Sequence, residues 1–419
     1  MKELREFIYM VGIKGVGMAA LAALFSARGH LVCGSDIAEK FRTDVMLEKL
    51  KISINPFGKR VPLQVSRVIY STAYDPSTHP ELCDARERGI PIQSYTEALA
   101  EVFNGFPQRI LVTGTHGKTT TTAMIGYILE QVGYDPTVLV GGFVSAWGGN
   151  ARISERSPAT WIVAEGDEYQ AKILHMNPTL LVCTRVDYDH PDFFKTPQAY
   201  QRLFEEVIGR LPPERVIRAN TSERRLQFEL SVFGPHNQEN AETAFRAARA
   251  VGVSPRAARE ALKTFSGVGR RLEYHSDRQA PLVLLDDYAH HPTEIRAALE
   301  AVRERYPARH RTVVFQPHTF SRTKVFLNDF ARSFGNADIL IVLETYASAR
   351  ESSGPACAGR RVGARDLADA AKKYHPHVEY AAIHDDATTL AKKFAHARDG
   401  VFLTMGAGDV ARIMPLMKA

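Results

Sequence analysis

Residues 110–122, ILVTGTHGKTTTT, combine an apolar strand-like run, a turn bounded by glycines, a lysine and a series of hydroxyl residues that opens a helix. Backbone N–H groups between a strand and a helix can bind phosphate oxygens. Lys118 can reach the β and γ phosphates, and the hydroxyl of Thr119 can ligate Mg²⁺. Val112 replaces the first glycine of the longer loop. The stretch predicts a shortened phosphate loop for a nucleoside triphosphate; a glycine-rich turn that only joins strand to helix is the alternative.

The size and composition of the chain indicate a globular enzyme of several domains. Its 419 residues exceed one ordinary core and favour two or three domains. A hydrophobic fraction of 45% and a charged fraction of 24% exclude disordered and fibrous classes. The net charge of +6 is spread along the chain without a dense basic block. Small anionic ligands explain that charge more simply than nucleic acid does.

The cysteines and apolar runs bear on the compartment. Cys33, Cys83, Cys183 and Cys357 are far apart and form no CxxC pair, so neither a disulfide framework nor a zinc site is indicated. The apolar run near the N-terminus contains glycines and fits a strand and a helix better than a signal peptide. No segment is long and apolar enough to span a membrane. We therefore expect a cytoplasmic protein without membrane insertion.

Apolar strand-like runs alternate with helix-like stretches along the whole chain. This alternation predicts an α/β fold of parallel sheets covered by helices. Three sections stand out: one with a glycine-rich turn, one with the phosphate loop, and one that begins near GVGRRLEY, residues 267–274. We expect domain boundaries that give residues 1–106, 107–268 and 269–419.

A second glycine-rich turn, GIKGVGM at residues 12–18, follows the first predicted strand and opens a helix. Asp36 follows the next strand. Backbone at a helix N-terminus can bind a diphosphate, and a carboxylate can accept hydrogen bonds from ribose hydroxyls. The spacing G-x-x-G-x-G differs from the dehydrogenase pattern G-x-G-x-x-G, so any nucleoside diphosphate fits. A purely structural turn and a nicotinamide dehydrogenase are the alternatives.

Acidic clusters follow two strands downstream of the phosphate loop. Glu165, Asp167 and Glu168 come after TWIVA, and the segment DYDH, residues 187–190, comes after TLLVCTRV. Ligands of α/β proteins bind at the carboxyl ends of strands. Glu165 and His190 are therefore expected at one sheet edge as a Mg²⁺ site. A solvated acidic loop is the alternative for each cluster taken singly.

Amide and guanidinium groups occur at two further positions. Asn237 and Asn240 stand where a loop enters a helix, and an amide there can pair with a base edge or cap the helix. Arg270 and Arg271 stand at the proposed domain junction, where guanidinium groups can neutralise a phosphate in transfer.

The third section carries two polar segments that each follow a strand. DDYAHHP, residues 286–292, brings paired carboxylates, a phenol and two histidines to one strand end, a combination that is seldom mere packing. FQPHTFSR, residues 315–322, ends in Arg322, which could clamp a carboxylate bidentately. Both segments are candidate parts of an active site.

Seven motifs in order resemble the Mur ligases over nearly the whole chain: GTHGKTTTT, EGDEY, DYDH, GPHNQEN, GVGRRLEY, DDYAHHPTEI and FQPHTFSRTK. GIKGVGM, FQPHTFSRTK, TYASARE and LTMGAGDV are similar to the members that add L-alanine to UDP-N-acetylmuramate. Members that attach a tripeptide to the same sugar nucleotide during murein recycling are the alternative. A non-catalytic nucleotide-binding protein of the same fold is a third possibility.

The resemblance implies an N-terminal Rossmann-like domain for the UDP sugar, a central P-loop ATP-binding domain and a C-terminal Rossmann-like domain for the amino acid. It implies ATP and Mg²⁺, with UDP-N-acetylmuramate and L-alanine as substrates, in peptidoglycan precursor synthesis. The muramoyl carboxylate would attack the γ phosphate, and alanine would then displace phosphate from the acyl phosphate. The expected state is a monomer or a homodimer.

The resemblance also implies roles for particular residues. Those expected to act in catalysis are Lys118, His190, Arg271, His290 and Arg322. Those expected to bind ATP are Gly114, Thr115, His116, Gly117, Lys118, Thr119, Thr120, Asn237, Asn240, Arg271 and Asp287. Those expected to bind the UDP sugar are Gly15, Val16, Gly17, Met18, Asp36, Ser71 and Thr72. Those expected to bind the amino acid are Tyr288, His290 and Arg322. Those expected to bind the metal are Thr119, Glu165 and His190.

The chain departs from the family pattern at three places. Arg185 replaces an asparagine that usually precedes the DH pair. Phe204 stands where several members have a lysine that becomes carbamylated, an absence that fits the alanine-adding members. The stretch 211–233 is shorter than in the family, which shortens the central domain.

Overall fold

A computed structural model describes residues 5–219, 226–347, 361–394 and 399–418. Within them, the strands form three largely parallel sheets, as the alternating pattern predicts. The chain divides into two compact units. The first comprises Met1–Asp187, Gln201–Ser231 and Glu239–Val268, and the second comprises Tyr188–Tyr200, Val232–Gln238 and Gly269–Ala419. The three predicted domain boundaries remain predictions.

The first sheet is entirely parallel and belongs to the first unit. Its strands are β1 Phe7–Val11, β2 Leu31–Asp36, β3 Ser53–Pro56, β4 Arg67–Tyr70 and β5 Ile92–Ser94. Its helices are α1 Val16–Ala27, α2 Asp44–Lys49, α3 Pro80–Glu87 and α4 Tyr95–Asn104. The strand order β3-β2-β1-β4-β5 is Rossmann-like and reverses direction between β1 and β4. Ligands of such sheets bind in the crevice at that reversal, just where the first glycine turn follows β1.

The second sheet, also in the first unit, has the order β11-β10-β6-β9-β7-β8. Its strands are β6 Gln108–Thr113, β7 Thr137–Val144, β8 Gly149–Arg152, β9 Trp161–Glu165, β10 Leu180–Cys183 and β11 Val216–Arg218. The α-helices of this part of the chain are α5 Lys118–Gln131, α6 Pro197–Gly209, α7 Pro235–Ala250 and α8 Pro255–Thr264. Short 3₁₀ helices span Ser145–Trp147, Tyr169–His175 and Pro213–Arg215. Only β7 and β8 pair antiparallel among the described strands of this sheet, and β6 lies between β9 and β10.

The third sheet forms the centre of the second unit, with the order β12-β13-β17-β14-β15-β16. Its strands are β12 Glu273–Tyr274, β13 Leu282–Asp287, β14 His310–Phe315, β15 Ile339–Leu343, β16 Val378–Ala381 and β17 Gly400–Met405. Its α-helices are α9 Pro292–Arg305, α10 Phe320–Val325, α11 Leu327–Ala331, α12 Ala364–Ala371, α13 His384–Phe394 and α14 Ile413–Lys418, and a 3₁₀ helix spans Val410–Arg412. Along β14, Val313 and Phe315 join one apolar cluster and Val314 joins another. Both faces of the sheet are therefore covered, as continuous apolar strands predict.

Local capping fixes where the helices begin. Ser94 and Glu97 form a capping box at α4, because each side chain bonds to the backbone N–H of the other. His291 caps α9, and Pro292 occupies its first turn. This cap places Tyr288 and His290 in the short connection between β13 and α9.

The short segment of the central section, residues 211–233, contains the 3₁₀ helix Pro213–Arg215 and β11. Residues 220–225 lie outside the described residues, as do Cys357 and all but residues 345–347 of the TYASARE motif. Within the described part of the chain, no helix combines the length and the apolar character needed to cross a bilayer.

Candidate functional site

The predicted phosphate loop forms a turn between a buried strand and a helix, and its binding of phosphate remains a prediction. β6 ends at Thr113, and α5 begins at Lys118. Gly114 and Gly117 have φ values of +131° and +82°, a region that side-chain-bearing residues avoid. The N–H groups of Thr115 and His116 donate to the carbonyl of Arg185 at 2.7 and 3.2 Å. These two amides therefore brace the turn, and the first N–H groups of α5 are the ones suited to bind phosphate.

Lys118 is bound to its own loop and to a buried carboxylate. Its Nζ donates to the carbonyls of Gly114 and Thr115 at 2.6 and 3.1 Å. It also lies 2.9 Å from Oε2 of Glu168, a residue that is only 1% exposed. Burial alone would lower the pKa of Lys118, but the charges of Glu168 and Glu165 raise it above its usual range. Sequence reasoning placed Glu168 in an acidic cluster and did not identify it as the partner of this lysine.

Thr119 and Glu165 come together at the first turn of α5. The Thr119 hydroxyl donates to Oε1 of Glu165 at 2.9 Å, and the Gly141 N–H donates to Oε2 at 2.7 Å. A hydroxyl and a carboxylate side by side beside a phosphate loop are hard oxygen donors that suit Mg²⁺. The pairing follows from the parallel register of β6 and β9, which end at the same sheet edge. His190, the third predicted metal ligand, belongs to the second unit.

The loop is also contacted by helix α7 and by the segment after β10. Oδ1 of Asn240 accepts from the Thr121 hydroxyl at 3.3 Å, and a side chain at Gly117 would collide with the same oxygen. Nε2 of His116 lies 3.2 Å from Asp187 Oδ2, and Nε of Arg185 lies 3.2 Å from the same oxygen. Asn240 therefore touches the phosphate loop, and Arg185 lies beside the loop as well.

The first glycine turn closes over Asp36. The two carboxylate oxygens of Asp36 accept the backbone N–H groups of Lys14 and Ile37 at 2.7 and 2.8 Å. A side chain at Gly17 would collide with the Tyr95 hydroxyl, so a larger residue there would require the tyrosine to move. Lys14, which the sequence did not single out, donates from Nζ to the carbonyls of residues 37 and 39. Asp36 thus shapes the turn, and its contact with ribose remains a prediction.

Further predicted contacts for the UDP sugar lie at the same end of the sheet. Gly15, Val16 and Met18 lie in or next to the first turn of α1. Ser71 and Thr72 follow β4, and Ser71 donates its N–H to the Val11 carbonyl at 2.9 Å. The structure therefore gathers this predicted set at the strand-order reversal of the first sheet.

In the second unit, Asp287 is a buried carboxylate that organises the end of β13. It accepts the backbone N–H groups of Leu272 and Ala289 at 2.8 and 2.7 Å. Burial raises its pKa to about 6, although the charge of Arg271 opposes that change. Its predicted contact with the ATP ribose remains a prediction, because the structure gives Asp287 a backbone-bracing role.

Glu294 lies on the first turn of α9, close to His290 and Arg271. The Tyr288 ring lies beside both of these residues. Glu294 Oε2 lies 3.4 Å from His290 Nδ1, and Oε1 lies 3.8 Å from the Arg271 guanidinium. The Arg271 guanidinium also lies 5.2 Å from the centre of the Tyr288 ring. Burial lowers the pKa of His290 to about 4, so its imidazole is neutral at neutral pH. Glu294 was not foreseen, although it belongs to the quoted DDYAHHPTEI motif.

Arg322 forms a bidentate ion pair with Asp189. Its Nε lies 3.0 Å from Oδ1 and its Nη2 lies 3.1 Å from Oδ2. The sequence predicts that Arg322 clamps a carboxylate, and the structure supplies one from the DH pair. His190 follows with φ +57°, and its Nε2 lies 4.0 Å from Asp189 Oδ2. The role of His190 as a metal ligand remains a prediction.

Asn237 lies in the first turn of α7, and its amide nitrogen donates to the Phe233 carbonyl at 2.8 Å. That contact ties the start of α7 to the preceding loop without capping an N–H group of the helix, and a contact with adenine remains a prediction. Nearby, burial and the charge of Arg271 lower the pKa of His236 to about 4.

A separate group of possible metal ligands consists of Glu273, His275 and Asp286, whose ligand atoms lie within 4.8 Å of one another. Nε of Arg270 lies 2.9 Å from Asp286 Oδ2, and the Arg270 backbone N–H donates to Glu273 at 2.9 Å. The guanidinium already supplies positive charge here, so we assign no metal to this group.

Sequence profiles of three Mur ligase domains match the chain in order. The Mur ligase family catalytic domain matches residues 7–107, the Mur ligase middle domain matches residues 112–224, and the Mur ligase glutamate ligase domain matches residues 270–408.

Curated proteins and solved structures agree with these matches. The UDP-N-acetylmuramate--L-alanine ligase of Desulfitobacterium hafniense is 35% identical over 97% of this chain and 98% of that protein. The enzyme of the same name from Rubrobacter xylanophilus is 34% identical over 97% of this chain and 98% of that protein. The crystal structure of the UDP-N-acetylmuramate-alanine ligase of Thermotoga maritima superposes with a TM-score of 0.82 at 25% identity, covering 99% of this chain and 98% of that one. A murein peptide ligase from Psychrobacter arcticus shares the fold, with a TM-score of 0.70 at 22% identity. The superposition covers 99% of this chain and 98% of that one. The chain therefore belongs to the Mur ligase family.

Proposed function

We propose that this protein is an ATP-dependent ligase that joins L-alanine to UDP-N-acetylmuramate in peptidoglycan precursor synthesis. The similarity to UDP-N-acetylmuramate--L-alanine ligases over 97% of the chain supports this assignment. The observation that carries the chemistry is the contact of Thr119 with Glu165 at the phosphate loop that holds Lys118. It joins a cation, a hydroxyl and a carboxylate at one helix N-terminus.

The first step of the proposed reaction is transfer of the γ phosphoryl group to the muramoyl carboxylate. Phosphoryl transfer is catalysed mainly by positioning and by dispersal of negative charge. Lys118 supplies a permanent positive charge, because neighbouring carboxylates raise its pKa despite its burial. The N-terminus of α5 adds the partial positive charge of the helix dipole. Thr119 and Glu165, with His190, would hold Mg²⁺, which neutralises phosphate charge when bound.

The second step is attack of the alanine amino group on the acyl phosphate. Arg322 would bind the carboxylate of alanine, because a guanidinium can bind carboxylates in a bidentate manner. His290 faces the same region as a neutral imidazole. Its Nδ1 lies 3.0 Å from the Tyr288 carbonyl, which can only accept, so Nδ1 carries the proton and Nε2 is an acceptor. Nε2 is therefore suited to bind the amino group before it attacks.

The proposal also includes a cytoplasmic location, three domains and a monomeric or homodimeric state. Cys33, Cys83 and Cys183 are free thiols, which fits a reducing cytoplasm. The three sheets support domains at residues 1–106, 107–268 and 269–419 for the UDP sugar, ATP and the amino acid. Gel filtration would decide between the monomer and the homodimer.

A matrix of substrates tests the function directly. The protein is incubated with ATP, Mg²⁺ and UDP-N-acetylmuramate, together with L-alanine, glycine, L-serine or the murein tripeptide, and products are identified by mass. We expect phosphate release and an alanyl product only when ATP, the sugar nucleotide and L-alanine are all present. Phosphate release that needs neither acceptor would contradict a ligase. A product formed with the tripeptide alone would assign the recycling reaction instead.

A further inference from the structure

The environment of Arg322 defines which part of its guanidinium can contact another molecule. Arg322 is 6% exposed, and its Nε and Nη2 face the two oxygens of Asp189 at 3.0 and 3.1 Å. Nη1 lies 3.2 Å from Nδ1 of His318 and 3.5 Å from the His318 carbonyl oxygen. A guanidinium has five N–H donors in one plane. Asp189 therefore takes the side edge, and the end edge keeps the second N–H of Nη2 for a substrate carboxylate, with Nη1 shared between that carboxylate and His318.

Asp189 is itself held in place. It is 4% exposed, and Oδ1 also accepts the backbone N–H of His190 at 2.7 Å. The residue before it is anchored too, because the Tyr188 hydroxyl donates to the Phe194 carbonyl at 2.6 Å. The Tyr188 ring lies 6.1 Å from the ring of Phe326, which directly follows α10, the helix of Arg322. The carboxylate and the guanidinium are thus fixed by neighbouring backbone.

The charges around Arg322 favour this arrangement over alternatives. The side chains of Arg322 and Asp189 are only 7% and 6% exposed, so each buried charge needs the other as its partner. Glu294 also interacts electrostatically with Arg322. Asp189 accepts hydrogen bonds from two nitrogens of the guanidinium and so sets the direction in which it points.

We propose that Asp189 is a positioning residue that holds the side edge of Arg322 so that its end edge binds the carboxylate of the amino acid substrate. This inference rests on the proposed function, since it assigns Asp189 to the amino acid step of that reaction. It assigns no part in phosphoryl transfer to Asp189. A purely structural ion pair would stabilise the fold equally but would have no selective effect on alanine.

The test compares Asp189→Asn with Asp192→Asn, which removes the same charge from an exposed neighbour that also acts electrostatically on Arg322. The amide of asparagine turns N–H donors toward the guanidinium, so we expect the KM for L-alanine to rise about 10- to 100-fold, the effect of losing one charge-assisted hydrogen bond. The KM values for ATP and UDP-N-acetylmuramate should stay within about twofold. Asp192→Asn should leave all three nearly unchanged. An unchanged or lower KM for alanine in Asp189→Asn would overturn the proposal.

Two further measurements separate positioning from damage to the fold or to the metal site. Hydroxylamine traps the acyl phosphate without alanine, and Asp189→Asn should keep this partial reaction and its Mg²⁺ dependence. If Asp189→Asn does not form the trapped product, Asp189→Glu, which keeps the charge, is tested in its place. An unchanged KM for alanine in Asp189→Glu, with trapping intact, would also contradict the proposal. A wild-type protein that makes no alanyl product would refute the proposed function instead.

Chemical rescue gives an independent readout. Added guanidinium should restore part of the alanine-dependent activity of Arg322→Ala, because Asp189 remains to bind and orient it. The same addition should restore nothing in the double variant Arg322→Ala with Asp189→Asn. Equal rescue in both backgrounds would overturn the proposal.

Discussion

Replacing Lys118 with methionine should reduce both activity and local stability, for two separable reasons. Methionine keeps much of the side-chain volume but removes the positive charge that we propose acts on the phosphates of ATP. It also leaves Glu168 buried without its partner at 2.9 Å. Removing one member of a buried ion pair costs about 3–5 kcal/mol, because the other charge remains unsolvated. The side chain of Lys118 is 15% exposed, so we expect about 3 kcal/mol.

Hydrogen exchange of the α5 amides measures this local free energy, since α5 begins at Lys118. A loss of about 3 kcal/mol corresponds to roughly 100-fold faster exchange, at 1.4 kcal/mol for each factor of ten. ATP-dependent phosphate release measures the catalytic part, and we expect none.

The double variant Lys118→Met with Glu168→Gln provides the matched control. It removes the stranded charge, so exchange should return to within about tenfold of wild type, while phosphate release stays absent. If the double variant exchanged as fast as Lys118→Met alone, Glu168 would not be the source of the instability. If Lys118→Met retained phosphate release, the assignment of the loop would be wrong.

Three further variants test other parts of the structure. Gly117→Ala should weaken ATP binding about tenfold or more, measured by calorimetry, because a Cβ would collide with Asn240. Gly133 is the control, since it has a similar φ of +78° but no atoms near the position of a Cβ, and Gly133→Ala should not weaken ATP binding. Equal effects of the two substitutions would contradict this prediction. Burial raises the pKa of Asp287 from its ordinary value of 3.8 to about 6 in the folded protein, so its contribution to stability is present below about pH 4 and lost as the pH rises through about 6. Melting temperatures of Asp287→Asn between pH 4 and 7 should therefore fall less with rising pH than those of wild type, and parallel curves would refute the assignment. Arg322→Lys should raise the KM for alanine but preserve acyl phosphate trapping, since lysine cannot bind a carboxylate bidentately; loss of trapping would place Arg322 in the first step.

The parts of the site that sequence predicts correctly are local or follow from sheet topology. Residues 110–122 contain their own strand, turn and helix signals, and β6, the loop and α5 confirm them. The contact of Thr119 with Glu165 follows from two parallel strands that end at one edge. Neither prediction needs the path of the chain beyond neighbouring elements.

The contacts that sequence reasoning missed depend on the geometry of long connections. Lys118 and Glu168 are 50 positions apart, and Asp189 and Arg322 are 133 apart. No periodicity links such pairs, although the residue types were noted: an acidic cluster and an arginine able to clamp a carboxylate. Asn237 illustrates the opposite difficulty, because a helix-capping amide and a base-pairing amide have the same sequence signal, and its bond to the Phe233 carbonyl is neither of the two.

Lys118 and Arg322, the two cations assigned to the proposed reaction, differ in what a ligand must displace. Lys118 has three N–H donors and uses them on the carbonyls of Gly114 and Thr115 and on Glu168, so phosphate can be bound only by exchange of at least one contact. Arg322 has five donors. Asp189 accepts from two of them, and Nη1 lies against Nδ1 and the carbonyl of His318, so a second carboxylate can be added without breaking the pair with Asp189. Binding of ATP should therefore rearrange the side chain of Lys118, whereas binding of alanine should leave that of Arg322 in place. The difference follows from the number of donors on each side chain, which is why lysine and arginine are not interchangeable at these two positions.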